Sequence, residues 1–199
     1  MDSVPKIVVT MQRAAQALSV SEPTDMAVKE IIGLGLPEAI AQLFPDLEQT
    51  AWSALREAYS RIYLEERALP PLFPGAKELL AEIAAQGRQL AVVTGKSRKG
   101  LDRALSHCDV GSLFVASRCA DETLSKPEPA MVLEVLEELK VQPEQAVVVG
   151  DTEYDMEMGV RAGVDCVGAT YGAHHGDRLV KYNPLACIDD IGDLLLHLD

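Results

Sequence analysis

Three short segments of this chain place chemically able side chains where an apolar run ends or a helix begins. The first is Thr94-Gly95-Lys96-Ser97, directly after the apolar run 90–93. It offers a hydroxyl, a glycine that lets backbone N–H groups approach a ligand, and the N-terminus of a following helix. That combination suits an anion such as phosphate. The same residues also read as a plain strand-to-helix turn with Ser97 as N-cap. The second segment is Ser125-Lys126-Pro127-Glu128-Pro129. A lysine between two structured elements, followed by rigid prolines, is held in position and can neutralise phosphate as a point charge. Its other reading is a solvated loop lysine with proline near a helix start. The third, Val147-Val148-Val149-Gly150-Asp151, sets a carboxylate at the end of an apolar strand, with Asp155 one helical turn further on. Both carboxylates can point to one place. Two hard oxygen ligands there suit Mg²⁺, with waters and a substrate phosphate completing its octahedron. The alternative makes Asp151 a helix N-cap and the other acids partners of the helix dipole. Together, hydroxyl, ammonium and carboxylates are the parts that hold a phosphoryl group and stabilise its transition state.

The elements that must position these residues follow from the spacing of apolar positions. A helix over 76–86 is closed by Gly87, and a strand is predicted over 90–93. A helix over 97–107 and a strand over 112–116 come next. A helix over 129–140, a strand over 146–149 and a helix to about 162 follow. Then come a strand over 164–167, a loop over 169–184, a short apolar piece over 185–188 and a helix from Ile191. Short continuous apolar runs alternating with helices indicate βαβ units and a parallel sheet covered on both faces. In such a sheet ligands bind at the carboxyl ends of the strands, where all three segments fall.

The first part of the chain reads as helices only. Ser3 can cap a helix with Pro5 in its first turn and Ile7, Val8, Met11, Ala15 and Leu18 on one face. Thr24 starts a second helix carrying Val28, Ile31 and Ile32, broken by Gly33, Gly35 and Pro37. A short piece over 38–44 precedes a longer helix with Leu55, Ala58, Tyr59 and Ile62 inward; Trp52, Tyr59 and Tyr63 read as its core aromatics. The Pro-rich stretch 69–75 divides the chain, giving a helical unit over 3–70 and a doubly wound α/β domain over 71–199.

Composition narrows the partners. The chain has 199 residues, 48% hydrophobic and 25% charged, as in an ordinary soluble globular protein. Its net charge of −13 opposes nucleic-acid binding, while a locally positive site for a small anion stays open. No apolar run approaches the roughly 20 residues of a membrane helix, and no secretory signal is visible, so a cytoplasmic location is expected. Cys108, Cys119, Cys166 and Cys187 lack any C-x-x-C spacing and read as reduced, mostly buried thiols. His174-His175 reads as a solvated loop pair rather than a metal or titrating site, because adjacent side chains diverge. Lys96 and Arg98 either attract an anion or are merely solvated. The segment 33–37 either reaches over the site or is an ordinary helix break.

Thr94-Gly95-Lys96, Lys126-Pro127-Glu128-Pro129 and Gly150-Asp151-x-x-x-Asp155 resemble, in order and spacing, motifs II, III and IV of the haloacid dehalogenase superfamily. The helical part, with Ile31-Ile32-Gly33-Leu34-Gly35-Leu36-Pro37, is similar to the helical cap of its phosphoglycolate-phosphatase-like subgroup. The resemblance implies a Rossmann-like parallel sheet with a small helical cap and an Mg²⁺-dependent phosphatase working through an aspartyl-phosphate. It implies phosphate-binding roles for Thr94, Gly95, Lys96 and Lys126, with Lys126 also steadying the nucleophile. It makes Asp151 a direct Mg²⁺ ligand and Asp155 a direct or water-mediated one. The substrate implied is a small phosphorylated metabolite, with phosphomutase and pyrophosphatase chemistry sharing the same motifs. A phospho-acceptor receiver domain uses similar residues but has no helical insert ahead of its strands. The family's motif I, Asp-x-Asp-Gly-Thr-Leu on the first, central strand, has no counterpart here; Met1-Asp2-Ser3 resembles the stretch just after that motif. The expectation is therefore a sheet lacking its central strand, and a chain that cannot form the aspartyl-phosphate. Met1 is then an internal methionine of a longer protein, or the chain is a truncated form that only binds Mg²⁺, phosphate or a partner.

Overall fold

The computed structural model describes residues 1–66 and 68–198. Among these, four helices come first: α1 (Val4–Ala17), α2 (Asp25–Glu30), α3 (Leu36–Leu43) and α4 (Gln49–Glu65). They share one apolar cluster in which Met11, Val28, Ile40 and Leu55 are fully buried. On α1 the buried positions Val8, Met11, Ala14 and Ala15 keep the helical spacing that the sequence showed. Leu18 does not join them; it lies past the helix end and is exposed. Thr24 caps α2 by accepting the Ala27 N–H at 3.2 Å. Ser3 does not cap α1, because its own backbone is already helical and a capping residue needs extended backbone to turn its hydroxyl back. The Trp52 indole donates to the Phe44 carbonyl at 2.8 Å, and Tyr63 stacks on Tyr59 with ring centroids 5.8 Å apart.

The rest of the described chain alternates helices and strands. In order these are α5 (Ala76–Ala85), β1 (Leu90–Thr94), α6 (Arg98–Cys108), β2 (Phe114–Cys119), α7 (Ala130–Leu139), β3 (Val147–Gly150), α8 (Glu153–Ala162), β4 (Asp165–Ala169), α9 (Gly176–Leu179) and β5 (Ala186–Ile188). β2 begins two residues later than the apolar run because a 3₁₀ turn, Gly111–Leu113, takes up its start. The expected loop over 169–184 contains α9 and a 3₁₀ turn, Val180–Tyr182, anchored by the fully buried Leu179. The last helix, Ile191–His197, is also 3₁₀.

Every strand pair is parallel, as the βαβ pattern requires. Thr94 pairs with Cys119, Val149 with Val167, and Val167 with Ala186. The strands form two sheets, β1-β2 and β3-β4-β5, and among the described residues nothing pairs β1 with β3. The two halves nevertheless share their packing. Leu90 of β1 and Val147 of β3 both pack against Leu79, Ile83, Val167 and Ile188. On the other face Val93 of β1 joins Val148 of β3 in the cluster of Met131, Met156 and Cys166. Helices therefore cover both faces, as in a doubly wound fold. All four cysteines are free; Cys119 and Cys166 are buried, but Cys187 is exposed on β5, which pairs on one side only. No described helix is long and apolar enough to cross a membrane.

Candidate active site

The carboxyl ends of β1 and β3 carry the polar residues that the sequence singled out. The Thr94 Oγ1, at the end of β1, accepts the Lys96 N–H at 3.2 Å. Ser97 caps α6, accepting the Gly100 N–H at 3.3 Å, so the turn reading of that residue is correct. Gly95 is required by close approach: a Cβ there would lie 2.4 Å from the Leu34 carbonyl oxygen. Burial and the neighbouring Lys126 push the Lys96 ammonium below its ordinary range, against the pull of Asp151. Arg98 faces elsewhere, its guanidinium held by Glu122 at 2.7 Å and by Ser117 at 2.9 Å.

Lys126 is 7% exposed and donates to Asp155 Oδ1 at 2.6 Å. Asp155 Oδ2 accepts the Thr152 N–H at 3.0 Å and the Thr152 hydroxyl at 2.6 Å. Thr152 in turn accepts the Asp155 N–H, forming a capping box at the start of α8. Gly150 allows this turn to fold back over the strand end, since a Cβ there would lie 2.1 Å from the Asp155 Cβ. Burial pushes the Asp155 carboxyl up, but Lys126 and Thr152 outweigh it and hold the group below the usual carboxylate range.

Asp151 is different. Its Oδ2 accepts the Ala173 N–H at 2.9 Å, and its carbonyl accepts the His174 N–H at 3.0 Å. Burial and the adjacent Asp155 push its carboxyl above the ordinary range, only partly opposed by Ala173 and Lys126. The fold thus disfavours a negative charge on Asp151 relative to the unfolded chain. Among the described residues no group of three or more His, Cys, Asp or Glu side chains converges as a metal cage. Mg²⁺ does not need one, because it keeps several waters and takes one or two carboxylates plus substrate phosphate.

The helical part closes on this cluster through segment 33–37. Gly33 has φ +109°, and a Cβ there would meet the Thr152 Oγ1 at 2.7 Å. The Gly35 N–H donates to the buried Ser125 Oγ at 2.7 Å. The segment therefore lies on the site and is more than a helix break. Ser125→Ala leaves that N–H buried without a partner and is expected to destabilise the chain by about 1–3 kcal/mol in urea unfolding. Ser125→Thr, which keeps the acceptor, should recover most of the loss.

His174 corrects the sequence reading. It is 3% exposed, whereas its neighbour His175 is open to solvent beside Asp177. The His174 Nδ1 accepts the Glu153 N–H at 3.1 Å, and its Nε2 lies 3.2 Å from the Lys29 carbonyl, so the neutral ring carries its proton on Nε2. Around it the Tyr154 hydroxyl donates to the Glu30 carbonyl at 2.9 Å, and Arg178 pairs with Glu153 at 3.0 Å and with Glu30. The loop that carries His174 begins at a strand end, a sequence signal to which the divergence of adjacent side chains is blind. Burial, then Arg178, lowers the His174 pKa below its ordinary value. The unfolded chain takes a proton near pH ~6.5 and the folded chain resists it. This contribution to stability is thus complete above that pH and is lost as pH falls below it. The urea midpoint should drop between about pH 7.5 and about pH 5.5, and His174→Asn, which keeps the acceptor for Glu153, should flatten the drop.

Known proteins share this chain's fold and part of its sequence. The sequence profile described as haloacid dehalogenase-like hydrolase matches residues 1–169. A phosphoglycolate phosphatase of Pseudomonas putida is 28% identical over 98% of this chain and 74% of its own length. One of Vibrio vulnificus is 28% identical over 98% of this chain and 90% of its own. A solved structure of a Haemophilus somnus protein, described as a predicted phosphoglycolate phosphatase, superposes with TM-score 0.89 over 99% of this chain and 92% of its own, at 24% identity. A haloacid dehalogenase-like hydrolase of Streptococcus pneumoniae gives 0.85 over 100% and 92%, at 20% identity. The structural likenesses establish the fold. The sequence match, spanning most of the chain, shows that it belongs to the haloacid dehalogenase-like hydrolase family.

Proposed function

We propose that residues 3–70 form a cap over an α/β core of residues 71–199, and that the site between them serves Mg²⁺-dependent hydrolysis of a small phosphate monoester, as in phosphoglycolate phosphatases. The observation that carries this reading is the placement of Thr94, Lys96, the Lys126–Asp155 pair and Asp151 around two neighbouring strand ends, directly under segment 33–37. The Thr94 hydroxyl, the Gly95 and Lys96 backbone and the two ammonium groups bind phosphoryl oxygens, and the low local dielectric strengthens each contact. Asp151 would hold Mg²⁺ as a direct ligand, because its half-buried carboxylate lies beside Asp155 and a cation would relieve the cost of its charge. The Asp155 oxygens are engaged by Lys126 and Thr152, so Asp155 chiefly holds Lys126 in place and would serve the metal only through water. Bound Mg²⁺ would supply charge neutralisation to the phosphate oxygens.

The attacking carboxylate of the aspartyl-phosphate route comes from outside residues 1–199. Its oxygen bonds to phosphorus while the ester P–O bond breaks and the leaving alkoxide takes a proton; water then releases phosphate and restores the carboxylate. The Leu34 carbonyl stands so close over Gly95 that a Cβ there would lie 2.4 Å from it, and the net charge of −13 opposes a nucleic acid, so we take the substrate to be a small cytoplasmic metabolite. In thermal melts of residues 1–199, inorganic phosphate should stabilise the chain only with Mg²⁺ present, and Thr94→Val should weaken that shift. The same chain alone should not turn over phosphoglycolate. No joint shift would overturn the site assignment, and turnover by the chain alone would overturn the external nucleophile.

A further inference from the structure

At the end of α2 the α/β part supplies three donors to the helical part. The Tyr154 hydroxyl reaches the Glu30 carbonyl at 2.9 Å, the His174 Nε2–H reaches the Lys29 carbonyl at 3.2 Å, and Arg178 pairs with the Glu30 carboxylate. Donors suit this place, because the last carbonyls of a helix are open to further partners and carry the negative end of its dipole. Of the three, His174 is also hydrogen-bonded to Asp151. Its Nδ1 accepts the Glu153 N–H at 3.1 Å, and its own N–H donates to the Asp151 carbonyl at 3.0 Å. The preceding Ala173 N–H donates to the Asp151 carboxylate at 2.9 Å. Gly172 packs on that carboxylate so closely that a Cβ there would lie 2.1 Å from Oδ2. We propose that His174 is a positioning residue for Asp151, and that docking of the α2 end on its ring and the holding of a cation by Asp151 strengthen each other.

Each half of this coupling has a cause. The loop 172–174 holds Asp151 through two N–H groups and one close contact, so a shift of the loop frees the carboxylate. The imidazole sets where the loop stands, because it is 3% exposed and bonded at both ring nitrogens. One of those bonds stays within the α/β part, at Glu153, and the other leaves for the helical part, at Lys29. Loss of the Lys29 carbonyl strands a buried ring N–H, and the ring or its loop must move to satisfy it. Removing a group that orients a metal ligand typically costs about 10–100-fold in metal affinity. The effect is reciprocal: whatever docking adds to cation affinity, the cation adds to docking. The path is a contiguous run of hydrogen bonds from Lys29 through His174 to Asp151, with no change in the charge of the ring. This role rests on the Mg²⁺ reading of Asp151 and extends it to the end of α2.

Two measurements on residues 1–199 at about pH 7.5, where the ring is neutral, test this. Calorimetric titration with Mg²⁺ reads the affinity, and amide hydrogen exchange with and without saturating Mg²⁺ reads the docking. In the wild-type chain Mg²⁺ should slow exchange about tenfold at 29–32, where the Ile32 N–H donates to the Lys29 carbonyl, and leave 49–65 of α4 unchanged. His174→Asn puts an oxygen in the place of Nδ1 for Glu153 and ends short of Lys29. It should bind Mg²⁺ about tenfold more weakly and lose the response at 29–32. Tyr154→Phe keeps the ring that meets His174 edge-on, with centroids 5.5 Å apart, and loses the hydroxyl that holds the Glu30 carbonyl. It should weaken Mg²⁺ binding about fivefold, and it decides alone if His174→Asn does not fold. A ring that serves stability only would lower the melting temperature of His174→Asn and leave both Mg²⁺ readouts at wild type, which would overturn the proposal. So would a wild-type chain that binds Mg²⁺ with no slowing at 29–32. No Mg²⁺ binding by the wild-type chain would overturn the Mg²⁺ reading and this role together, whereas binding that ignores both variants overturns this role alone.

Discussion

Lys126→Met should destabilise the folded chain by about 3–5 kcal/mol in urea unfolding, the cost of leaving one member of a buried ion pair uncompensated. Both side chains are 8% exposed and their charged atoms are 2.6 Å apart, so solvent cannot replace the lost partner. The Thr152 N–H and hydroxyl remain on Asp155 Oδ2 but carry no full charge. Adding Asp155→Asn removes the stranded charge while keeping an acceptor for the Thr152 N–H. The double variant should therefore be more stable than Lys126→Met alone, though its effects are not additive. pH gives the sharper check. In the native chain the Asp155 carboxyl sits below its ordinary range, so its contribution is present above the unfolded value near ~3.9 and is lost as pH falls through the lower folded value. Without Lys126 the burial of Asp155 dominates, and its folded pKa rises above the unfolded one. The variant should then gain stability relative to wild type as pH is lowered from neutrality towards about pH 5. A loss under about 1 kcal/mol, or no change in the sign of the pH dependence, would mean that the pair is solvated.

The site is legible in the sequence where a strand end and a helix start fix a side chain between them. Gly150-Asp151-x-x-x-Asp155 can be placed because a helical turn succeeds an apolar strand, and Thr94 because a glycine comes after it at the same kind of junction. The partners of Asp155 cannot be read, since Lys126 lies 29 positions earlier and its ion pair exists only after α7 and α8 pack together. His174 departs from its solvated-loop reading for the same reason. Its burial depends on Tyr154, Glu153 and the Lys29 carbonyl, the last 145 positions away. The parallel α/β pattern is legible from continuous apolar runs, which signal strands covered on both faces. Ser3 shows the limit of local signals: residue type and position both favour a cap, and the backbone entering α1 sets the outcome. The division into the sheets β1-β2 and β3-β4-β5 cannot be read from local pattern, because the packing of α7 and α8 over one face and of α5 over the other is set by contacts far apart in sequence.

Asp151→Asn should abolish stabilisation by Mg²⁺ while making the metal-free chain more stable at neutral pH. Burial and Asp155 raise the Asp151 carboxyl above its ordinary value, so the folded state holds a proton that the unfolded chain releases near pH ~3.9. A raised acid means that stability is highest below that pH and is lost as pH climbs through the folded value. The metal-free fold therefore disfavours the ionised carboxylate relative to the unfolded chain. Asparagine removes that charge and still accepts the Ala173 N–H, which bonds Asp151 at 2.9 Å. Mg²⁺ acts on the same charge from the other direction. At a free concentration one hundred times its dissociation constant it should add about 2.7 kcal/mol to the wild-type chain. Because cation and proton compete for one carboxylate, the gain should shrink as pH falls towards about pH 4. Glu128→Gln, which changes an acid whose partner is Arg161 at 2.8 Å, serves as the control and should leave the Mg²⁺ response intact. If Asp151→Asn lowers metal-free stability and keeps the Mg²⁺ response, the cation is held elsewhere and the uncompensated charge of Asp151 has some other role.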